Sequence, residues 1–210
     1  MIVGITGLIG SGKDTAADYL CTFHGFKRMS FAGALKDAVA AIFNWDRELL
    51  EGSTKTSREW REEVDIWWAD RLGIPDLTPR WILQQWGTEV ARKHFHNDIW
   101  VASVENRLRG IKDNIVITDC RFPNEIAAIK NAGGSMVRIH RGENPEWFYY
   151  ADRYNTTQNA GQRELYMSKL NYYNVHASEY SGVGLDYDHH VENNSTIDDL
   201  HKQIESIINS

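Results

Sequence analysis

A glycine-rich segment near the start of the chain has the residue types and the spacing of a phosphate-binding loop. It reads Gly7-Leu8-Ile9-Gly10-Ser11-Gly12-Lys13-Asp14-Thr15, and the apolar residues 2–5 precede it. Between a strand and a helix, glycines at this spacing let successive backbone N–H groups turn inward, and the helix start adds the positive end of its dipole. Lys13 is placed to reach the β- and γ-phosphates of a nucleotide. The segment therefore predicts a nucleotide-phosphate site.

The residue after Lys13 departs from the most familiar version of this motif. GTPases and motor ATPases have a serine or threonine there, whose hydroxyl holds Mg²⁺, whereas this chain has Asp14 followed by Thr15. Small-molecule kinases more often accept another residue at that place. Asp14 is predicted either to hold Mg²⁺ through a water molecule or to interact with the helix dipole from the first turn. The sequence leaves both interpretations open.

Composition and charge exclude several classes of function. The 210 residues suffice for one domain, and the net charge of −6 argues against a general nucleic-acid binder. Two cysteines, Cys21 and Cys120, lack the spacing of metal ligands, which is typical of a reducing compartment. No apolar run approaches membrane-spanning length, and no signal peptide is recognisable. We therefore expect a cytoplasmic protein with no membrane or nucleic-acid partner.

Apolar periodicity predicts strands that alternate with helices. The predicted strands are residues 2–6, 26–31, 114–118, 136–140 and 189–192. Residues 44–57 are expected to form a loop, and residues 60–71 carry one helical stripe. This alternation predicts an α/β fold with a parallel sheet and helices on both faces, whose ligands bind at the carboxyl ends of the strands.

Charged residues follow the predicted strands at the places where a ligand would lie. Asp119 ends an apolar strand, and we interpret it as a carboxylate for Mg²⁺-bound water or for substrate, with helix capping as the alternative. Arg121 lies two residues further on, and Arg58, Arg80 and Arg141 each follow or flank a loop. Phosphoryl transfer requires positioning and charge neutralisation, which bidentate arginines provide. These arginines are therefore candidate phosphate ligands.

Taken in order, the motifs resemble the deoxynucleoside monophosphate kinases of tailed bacteriophages, and more distantly dephospho-coenzyme A kinase and other P-loop small-molecule kinases. The resemblance covers most of the chain, and an aspartate at position 14 is usual in this family. Residues 142–180 and the tryptophan-rich middle region match it poorly. The motifs that carry the resemblance are Gly10-Ser11-Gly12-Lys13-Asp14-Thr15, Ala32-Gly33-Ala34-Leu35-Lys36-Asp37-Ala38, Glu51-Gly52, Arg58-Glu59, Arg80 with Gln84, Trp86-Gly87-Thr88-Glu89, Trp100-Val101, Asp119, Arg121, Glu125, Arg138-Ile139-His140-Arg141, His176-Ala177-Ser178-Glu179 and Asn193-Asn194-Ser195.

The resemblance implies a three-layer αβα P-loop NTPase fold with a five-stranded parallel sheet in the order 2-3-1-4-5. It also implies one kinase domain over residues 1–210. Within that domain, residues 44–110 are expected to form a helical acceptor-binding region and residues 142–180 a lid.

The resemblance also implies roles for individual residues. Lys13, Arg121 and Arg141 are the expected catalytic residues, with Arg141 closing from the lid side, and Asp14 is the candidate that holds Mg²⁺ through water. The expected ATP ligands are Gly7, Gly10, Ser11, Gly12, Lys13, Asp14, Thr15 and Asn193, the last beside the adenine. The residues expected around the acceptor nucleotide are Lys36, Arg58, Arg80, Gly87, Thr88, Trp100, Asp119, Arg121 and Glu125.

The function that this resemblance implies is ATP-dependent phosphorylation of deoxynucleoside monophosphates to diphosphates, with Mg²⁺, for viral DNA replication in the cytoplasm of a host. The alternative is dephospho-coenzyme A kinase or another P-loop small-molecule kinase. A GTPase switch is disfavoured because no Asn-Lys-x-Asp guanine motif occurs. A non-catalytic nucleotide-binding protein is disfavoured because Lys13, Asp119 and Arg121 are all present. The sequence leaves open which bases are accepted and whether the protein is a homodimer.

Overall fold

The chain folds into two compact units in the computed structural model, which describes residues 1–209. The first unit, here the sheet unit, contains Met1–Ser30 and the segment from Gly110 onward. The second, here the helical unit, is Phe31–Arg109. No helix among the described residues is both long enough and apolar enough to span a membrane.

The sheet unit contains five parallel strands in the order β2-β3-β1-β4-β5, so the predicted order and direction are confirmed. The strands are β1 (Ile2–Thr6), β2 (Lys27–Met29), β3 (Ile115–Ile117), β4 (Ser135–His140) and β5 (His189–Glu192). The helices of the two units are α1 (Lys13–His24), α2 (Gly33–Phe43), α3 (Arg47–Glu51), α4 (Lys55–Trp60), α5 (Ile66–Leu72), α6 (Pro79–Gln84), α7 (Ile99–Leu108), α8 (Pro123–Asn131), α9 (Trp147–Thr156), α10 (Ala160–Tyr172), α11 (Ala177–Tyr180) and α12 (Ile197–Ile208).

Helices cover both faces of the sheet because side chains along each strand alternate between the faces. On one face, Val3, Ile5 and Val137 pack with Leu20 of α1 and Leu200 of α12 in one buried cluster. On the other side, α8 packs against β1 and β4. The carboxyl ends of β1, β3 and β4, which are neighbours in the sheet, therefore share one edge.

An aromatic core stabilises the helical unit. The ring of Phe43 stacks on Trp45 at a centroid distance of 4.5 Å and meets the edge of Trp68 at 4.8 Å. The indole N–H of Trp45 donates to Asp65 Oδ2 at 2.7 Å, so its polar atom is satisfied at the edge of the core. The high tryptophan count of the middle third thus serves packing to a large extent.

The expectation of a loop at residues 44–57 is wrong, since α3 and the start of α4 lie there. These helices are too short to show an apolar stripe, and they depend on local contacts. Asp46 Oδ1 accepts the backbone N–H of Glu48 at 2.7 Å, and Leu50 is fully buried. The continuous stripe predicted for residues 60–71 is also interrupted, because α4 ends at Trp60 and α5 begins at Ile66.

A π-helix over Gln85–Phe95 continues directly from α6. Such helices are rare, and single π-turns are frequent at functional sites. Two candidate acceptor residues, Gly87 and Thr88, lie in its first turn and are buried or nearly so. Periodicity did not predict this element, because an apolar stripe at helical spacing fits an α-helix equally well.

Residues 142–180 contain a helical hairpin formed by α9 and α10, followed by the short α11. Ala151 and Leu170 are fully buried in a small apolar cluster that joins the three helices. Asn155 Nδ2 donates to the carbonyl oxygens of Tyr180 at 2.7 Å and Val183 at 2.8 Å. The chain beyond α11 is therefore fastened to α9. The helical character predicted near residues 161–170 is confirmed by α10.

Candidate active site

The phosphate loop connects β1 to α1 with a backbone that requires glycine at particular positions. Gly7, Gly10 and Gly12 have φ angles of +148°, +78° and +101°, which L side chains rarely adopt. A Cβ atom on Gly7 would collide with the carbonyl oxygen of Ile139, and one on Gly12 would collide with the side-chain amide of Asn193. The loop therefore lies tightly against β4 and the end of β5.

Asn193 supports this loop from the residue after β5. Its Nδ2 donates to the carbonyl oxygen of Ser11 at 2.8 Å, and the residue is only 9% exposed. The hydroxyl of Ser11 is buried and has no hydrogen-bond partner among the described residues. The structure therefore places Asn193 against the loop backbone, while its predicted position beside an adenine stays a prediction.

Lys13 is held by the loop itself. Its Nζ donates to the carbonyl oxygens of Gly7 and Leu8, each at 2.8 Å. Burial, reinforced by the positive charge of Arg121, lowers the pKa of Lys13 to about 8, although the nearby Asp14 carboxylate acts in the opposite direction. An incoming phosphate would offer this ammonium group a negative partner in place of two neutral carbonyls.

Arg121 is fixed at both its backbone and its side chain. Its backbone N–H donates to Glu125 Oε2 at 2.7 Å, and Glu125, 2% exposed, also accepts the N–H of Phe122 at 3.0 Å. The guanidinium Nη1 donates to Glu179 Oε1 at 2.5 Å and to the carbonyl oxygen of Ser178 at 3.3 Å. Glu125 thus stabilises the turn into α8, and Glu179 orients the arginine.

Two carboxylates, Asp14 in the first turn of α1 and Asp119 after β3, fit a magnesium ion that is bound mainly by phosphate and water. Asp119 accepts the hydroxyl of Ser30 at 2.7 Å. The Asp14 side chain is 62% exposed, and its Oδ1 atom lies 3.4 Å from Arg28 Nη1. The same oxygen accepts a hydrogen bond from the Thr118 hydroxyl at 3.5 Å. Within residues 1–209, no group of three or more His, Cys, Asp or Glu side chains is arranged to hold a metal ion. Mg²⁺ bound to nucleotide phosphates needs only one or two protein carboxylates.

A cleft beside the phosphate loop brings several candidate residues together. Gly7 and Ser11 of the loop line it together with Arg121 and Arg141. Arg138, Phe148, Glu179 and Tyr187 also line it, and none of them was expected to be a site residue, although Arg138 and Glu179 belong to motifs that carry the resemblance. The strand pairing of Arg138 with Thr6, which precedes the phosphate loop, is what places it at the cleft. This concentration of arginines suits a ligand with several negative charges.

The helical unit holds the other candidate residues, and its cations already have partners inside the unit. Lys36 Nζ lies 2.5 Å from Glu51 Oε2, with the lysine side chain 12% exposed. Arg80 Nη1 lies 3.2 Å from a carboxylate oxygen of Glu62. Arg58 Nη1 donates only to main-chain carbonyl oxygens, at 3.0 and 3.4 Å. It is therefore the cation of this group with no carboxylate partner among the described residues.

Two of the remaining candidates in the helical unit are in direct contact. The indole N–H of Trp100 donates to the carbonyl oxygen of Gly87 at 2.8 Å, which fastens α7 to the π-helix. A Cβ atom on Gly87 would lie 2.8 Å from the Leu35 side chain, so a larger residue would displace this packing. The neighbouring Thr88 is 8% exposed.

The parallel sheet and the phosphate loop between β1 and α1 together define the class, which is that of the P-loop nucleotide-binding proteins. The chain is 33% identical over 153 residues to a protein of Acanthamoeba polyphaga mimivirus that is provisionally named a deoxynucleotide monophosphate kinase, covering 67% of this chain and 74% of that protein. It is 26% identical over 174 residues to the deoxynucleoside-5'-monophosphate kinase of Escherichia phage T5, covering 60% and 70% respectively. The chain belongs to the deoxynucleotide monophosphate kinase family.

The solved structures that align with the chain over nearly all of its length have low sequence identity to it. Shikimate kinase from Aquifex aeolicus aligns with a TM-score of 0.45 and 12% identity, covering 100% of this chain and 96% of that one. Dephospho-CoA kinase from Campylobacter jejuni aligns with a TM-score of 0.39 and 14% identity, covering 99% and 95%. No family model matches the chain. As a member of a kinase family, the protein is an enzyme that uses a nucleotide and small-molecule substrates.

The lowered pKa of Lys13 predicts how nucleotide binding changes with pH. In the free protein, Lys13 loses its proton as the pH rises through about 8. Binding must then restore that proton, so the dissociation constant for ATP should rise by up to about tenfold per pH unit above pH 8. Calorimetric titrations between pH 7 and 9.5, in buffers of different ionisation enthalpy, measure both the affinity and the proton uptake. Lys13→Met should bind more weakly and without this dependence, whereas a constant wild-type affinity from pH 7.5 to 9.5 would contradict the assignment.

Proposed function

We propose that the protein transfers the γ-phosphoryl group of ATP to a deoxynucleoside monophosphate and releases the two diphosphates. The observation that carries the proposal is the cleft in which the phosphate loop meets Arg121 and Arg141. In a chain of this family, that combination supports a site where a polyphosphate and a transferring phosphoryl group are neutralised together.

In the proposed reaction, the ATP phosphates lie against the loop N–H groups and the start of α1. Lys13 exchanges its two carbonyl partners for β- and γ-phosphate oxygens, and Asn193 lies toward the adenine. An α-phosphate oxygen of the acceptor attacks the γ-phosphorus in line, and it needs no strong general base because it is already anionic. Arg121 and Arg141 neutralise the charge that develops in the transition state. Mg²⁺, when bound, would neutralise the β- and γ-phosphates, with Asp14 holding one of its waters.

The residues that the family resemblance implies for the acceptor nucleotide are proposed to bind it. Arg58, Arg80 and Arg121 hold its phosphate, and Lys36, Gly87, Thr88 and Trp100 lie around the nucleotide. In the sheet unit, Asp119, Arg121 and Glu125 complete the set. The buried carboxylate of Glu125 accepts two backbone N–H groups, so its contribution is to position Arg121 rather than to contact the ligand.

Residues 142–180 are proposed to act as a lid on the phosphate cleft. The segment follows Arg141 directly, and Phe148 and Ser178 within it line the cleft. Closure would exclude water from the reacting phosphates and limit hydrolysis of ATP. Residues 1–210 are proposed to form one kinase domain that acts in the cytoplasm of a host without a nucleic-acid partner. Analytical ultracentrifugation would test whether the protein forms a homodimer.

A coupled assay with ATP and each deoxynucleoside monophosphate tests the proposed function directly. At least one acceptor should give turnover well above acceptor-free ATP hydrolysis. Lys13→Met should lower kcat roughly a hundredfold or more, which corresponds to about 3 kcal/mol of transition-state stabilisation. Dephospho-coenzyme A serves as the competing acceptor, and turnover with it alone would overturn the proposal. Near-normal turnover by Lys13→Met would show that the phosphate site lies elsewhere.

Arg58 tests the assignment of the acceptor phosphate. Arg58→Lys keeps the charge but loses the two parallel N–H groups of the guanidinium, so KM for the deoxynucleotide should rise about tenfold while KM for ATP stays constant. Steady-state kinetics with each substrate varied in turn measure the two constants. Arg71→Lys is the matched control, because Arg71 is an exposed arginine of α5 that no proposal places near a ligand. A rise in KM for ATP alone would show that Arg58 interacts with ATP and not with the acceptor, and would contradict the assignment.

A further inference from the structure

Arg138 lies on β4 at a position that has no part in the mechanism above. The strand register pairs it with Thr6, the residue immediately before Gly7 of the phosphate loop. Paired residues of adjacent parallel strands project to the same face of the sheet. The Arg138 side chain therefore extends beside the beginning of the loop, and it lines the same cleft as Arg121 and Arg141.

An aromatic ring, rather than a carboxylate, holds the Arg138 guanidinium. Its Cζ atom lies 5.0 Å from the centroid of the Phe148 ring, which belongs to α9. No carboxylate in the described part of the chain forms an ion pair with Arg138. Glu179 is the one carboxylate among the described residues that line the cleft. Its Oε1 atom already forms an ion pair with Arg121 Nη1 at 2.5 Å.

The neighbouring phenol does not serve as a counterion either. Burial raises the pKa of Tyr187 to about 12, against the opposing effect of the Arg138 charge. Its hydroxyl donates to the carbonyl oxygen of Gly182. Tyr187 is therefore a neutral wall of the cleft at physiological pH, and the positive charge of Arg138 stays without a negative partner.

A half-buried cation without a counterion has lost part of its hydration and has gained no charge-assisted hydrogen bond in return. An aromatic ring interacts with a guanidinium above its centroid and leaves the N–H edge free to donate in plane. That edge matches two oxygens of a phosphate group. The guanidinium edge of Arg138 is thus suited to bind a phosphate group.

We propose that Arg138 is a further phosphate-binding residue of this cleft, which donates through its guanidinium edge to a phosphate group of the bound nucleotides while Phe148 holds it in place. The identity of the anion as a nucleotide phosphate rests on the proposed function. Because Phe148 lies in α9, the contact also connects residues 142–180 to the ligand.

Binding of inorganic tripolyphosphate, measured by calorimetry at fixed ionic strength, tests the proposal without requiring turnover. Arg138→Gln should raise its dissociation constant about tenfold or more, the loss expected for a charge-assisted hydrogen-bonded pair. Arg153→Gln is the matched control, because Arg153 lies over the Tyr149 ring at 5.5 Å on the same helix as Phe148 but does not line the cleft. The control should change the constant less than about twofold.

Two further variants separate binding from structural support. Arg138→Lys should fall between wild type and Arg138→Gln, because it keeps the charge and loses the fork. Phe148→Leu should weaken binding severalfold in the wild-type background and have no further effect in the Arg138→Gln background. Equal losses in both backgrounds would mean that Phe148 supports the fold only, and would overturn its part of the proposal.

The outcomes also distinguish this inference from the proposed function. Absence of deoxynucleotide kinase turnover with a clear effect of Arg138→Gln on tripolyphosphate affinity would reject the function and retain the anion site. Normal turnover with unchanged affinity and unchanged KM values in Arg138→Gln would reject the anion site alone. Failure of the wild-type protein to bind tripolyphosphate would also overturn it. Circular dichroism confirms folding, and Arg138→Lys carries the comparison if Arg138→Gln does not fold.

Discussion

Mutual repulsion among cations is the constraint on which the sheet unit's candidate site depends. Arg121, Arg138 and Arg141 line one cleft with the single carboxylate of Glu179, and the charge of Arg121 contributes to the lowered pKa of Lys13. Three of these cations are held by different contacts: the loop carbonyls for Lys13, an ion pair for Arg121 and an aromatic ring for Arg138. Holding these cations close together lowers the stability of this edge of the sheet, as is common at functional sites. A bound phosphate chain would relieve the repulsion.

The parallel sheet provides the geometry that lets these cations converge. Lys13 follows β1, Arg121 follows β3 and Arg141 follows β4, and these strands are neighbours whose carboxyl ends share one edge. A helix start supplies further backbone donors at that edge. Two side chains from distant parts of the chain, Asn193 and Glu179, then fix the loop and Arg121 in place. The phosphate-binding part of the site is therefore held in place by fixed contacts. It adjoins the helical hairpin of α9 and α10, which is proposed to close over it.

The glycine spacing and the strand pattern were sufficient to predict the loop and a parallel sheet from the sequence, and the family resemblance implied the order of the strands. What escaped prediction depends on contacts between residues far apart in the chain. The Arg121–Glu179 pair spans 58 positions, and the place of Arg138 follows from its register with Thr6. The two short helices within residues 44–60 escaped because caps and single buried residues, not periodicity, define them.

Hydrogen exchange of the loop amides tests most directly whether the cleft is where a phosphate chain binds. Exchange is measured in the free protein, with ATP, and with a mimic that joins adenosine to a deoxynucleoside through a phosphate chain. We expect ATP to slow exchange at residues 10–15, and the mimic to slow it further there and also across residues 142–180. Unchanged exchange at residues 10–15 with the mimic bound would contradict the central claim, and equal protection of residues 142–180 in free and bound protein would show that no lid closes.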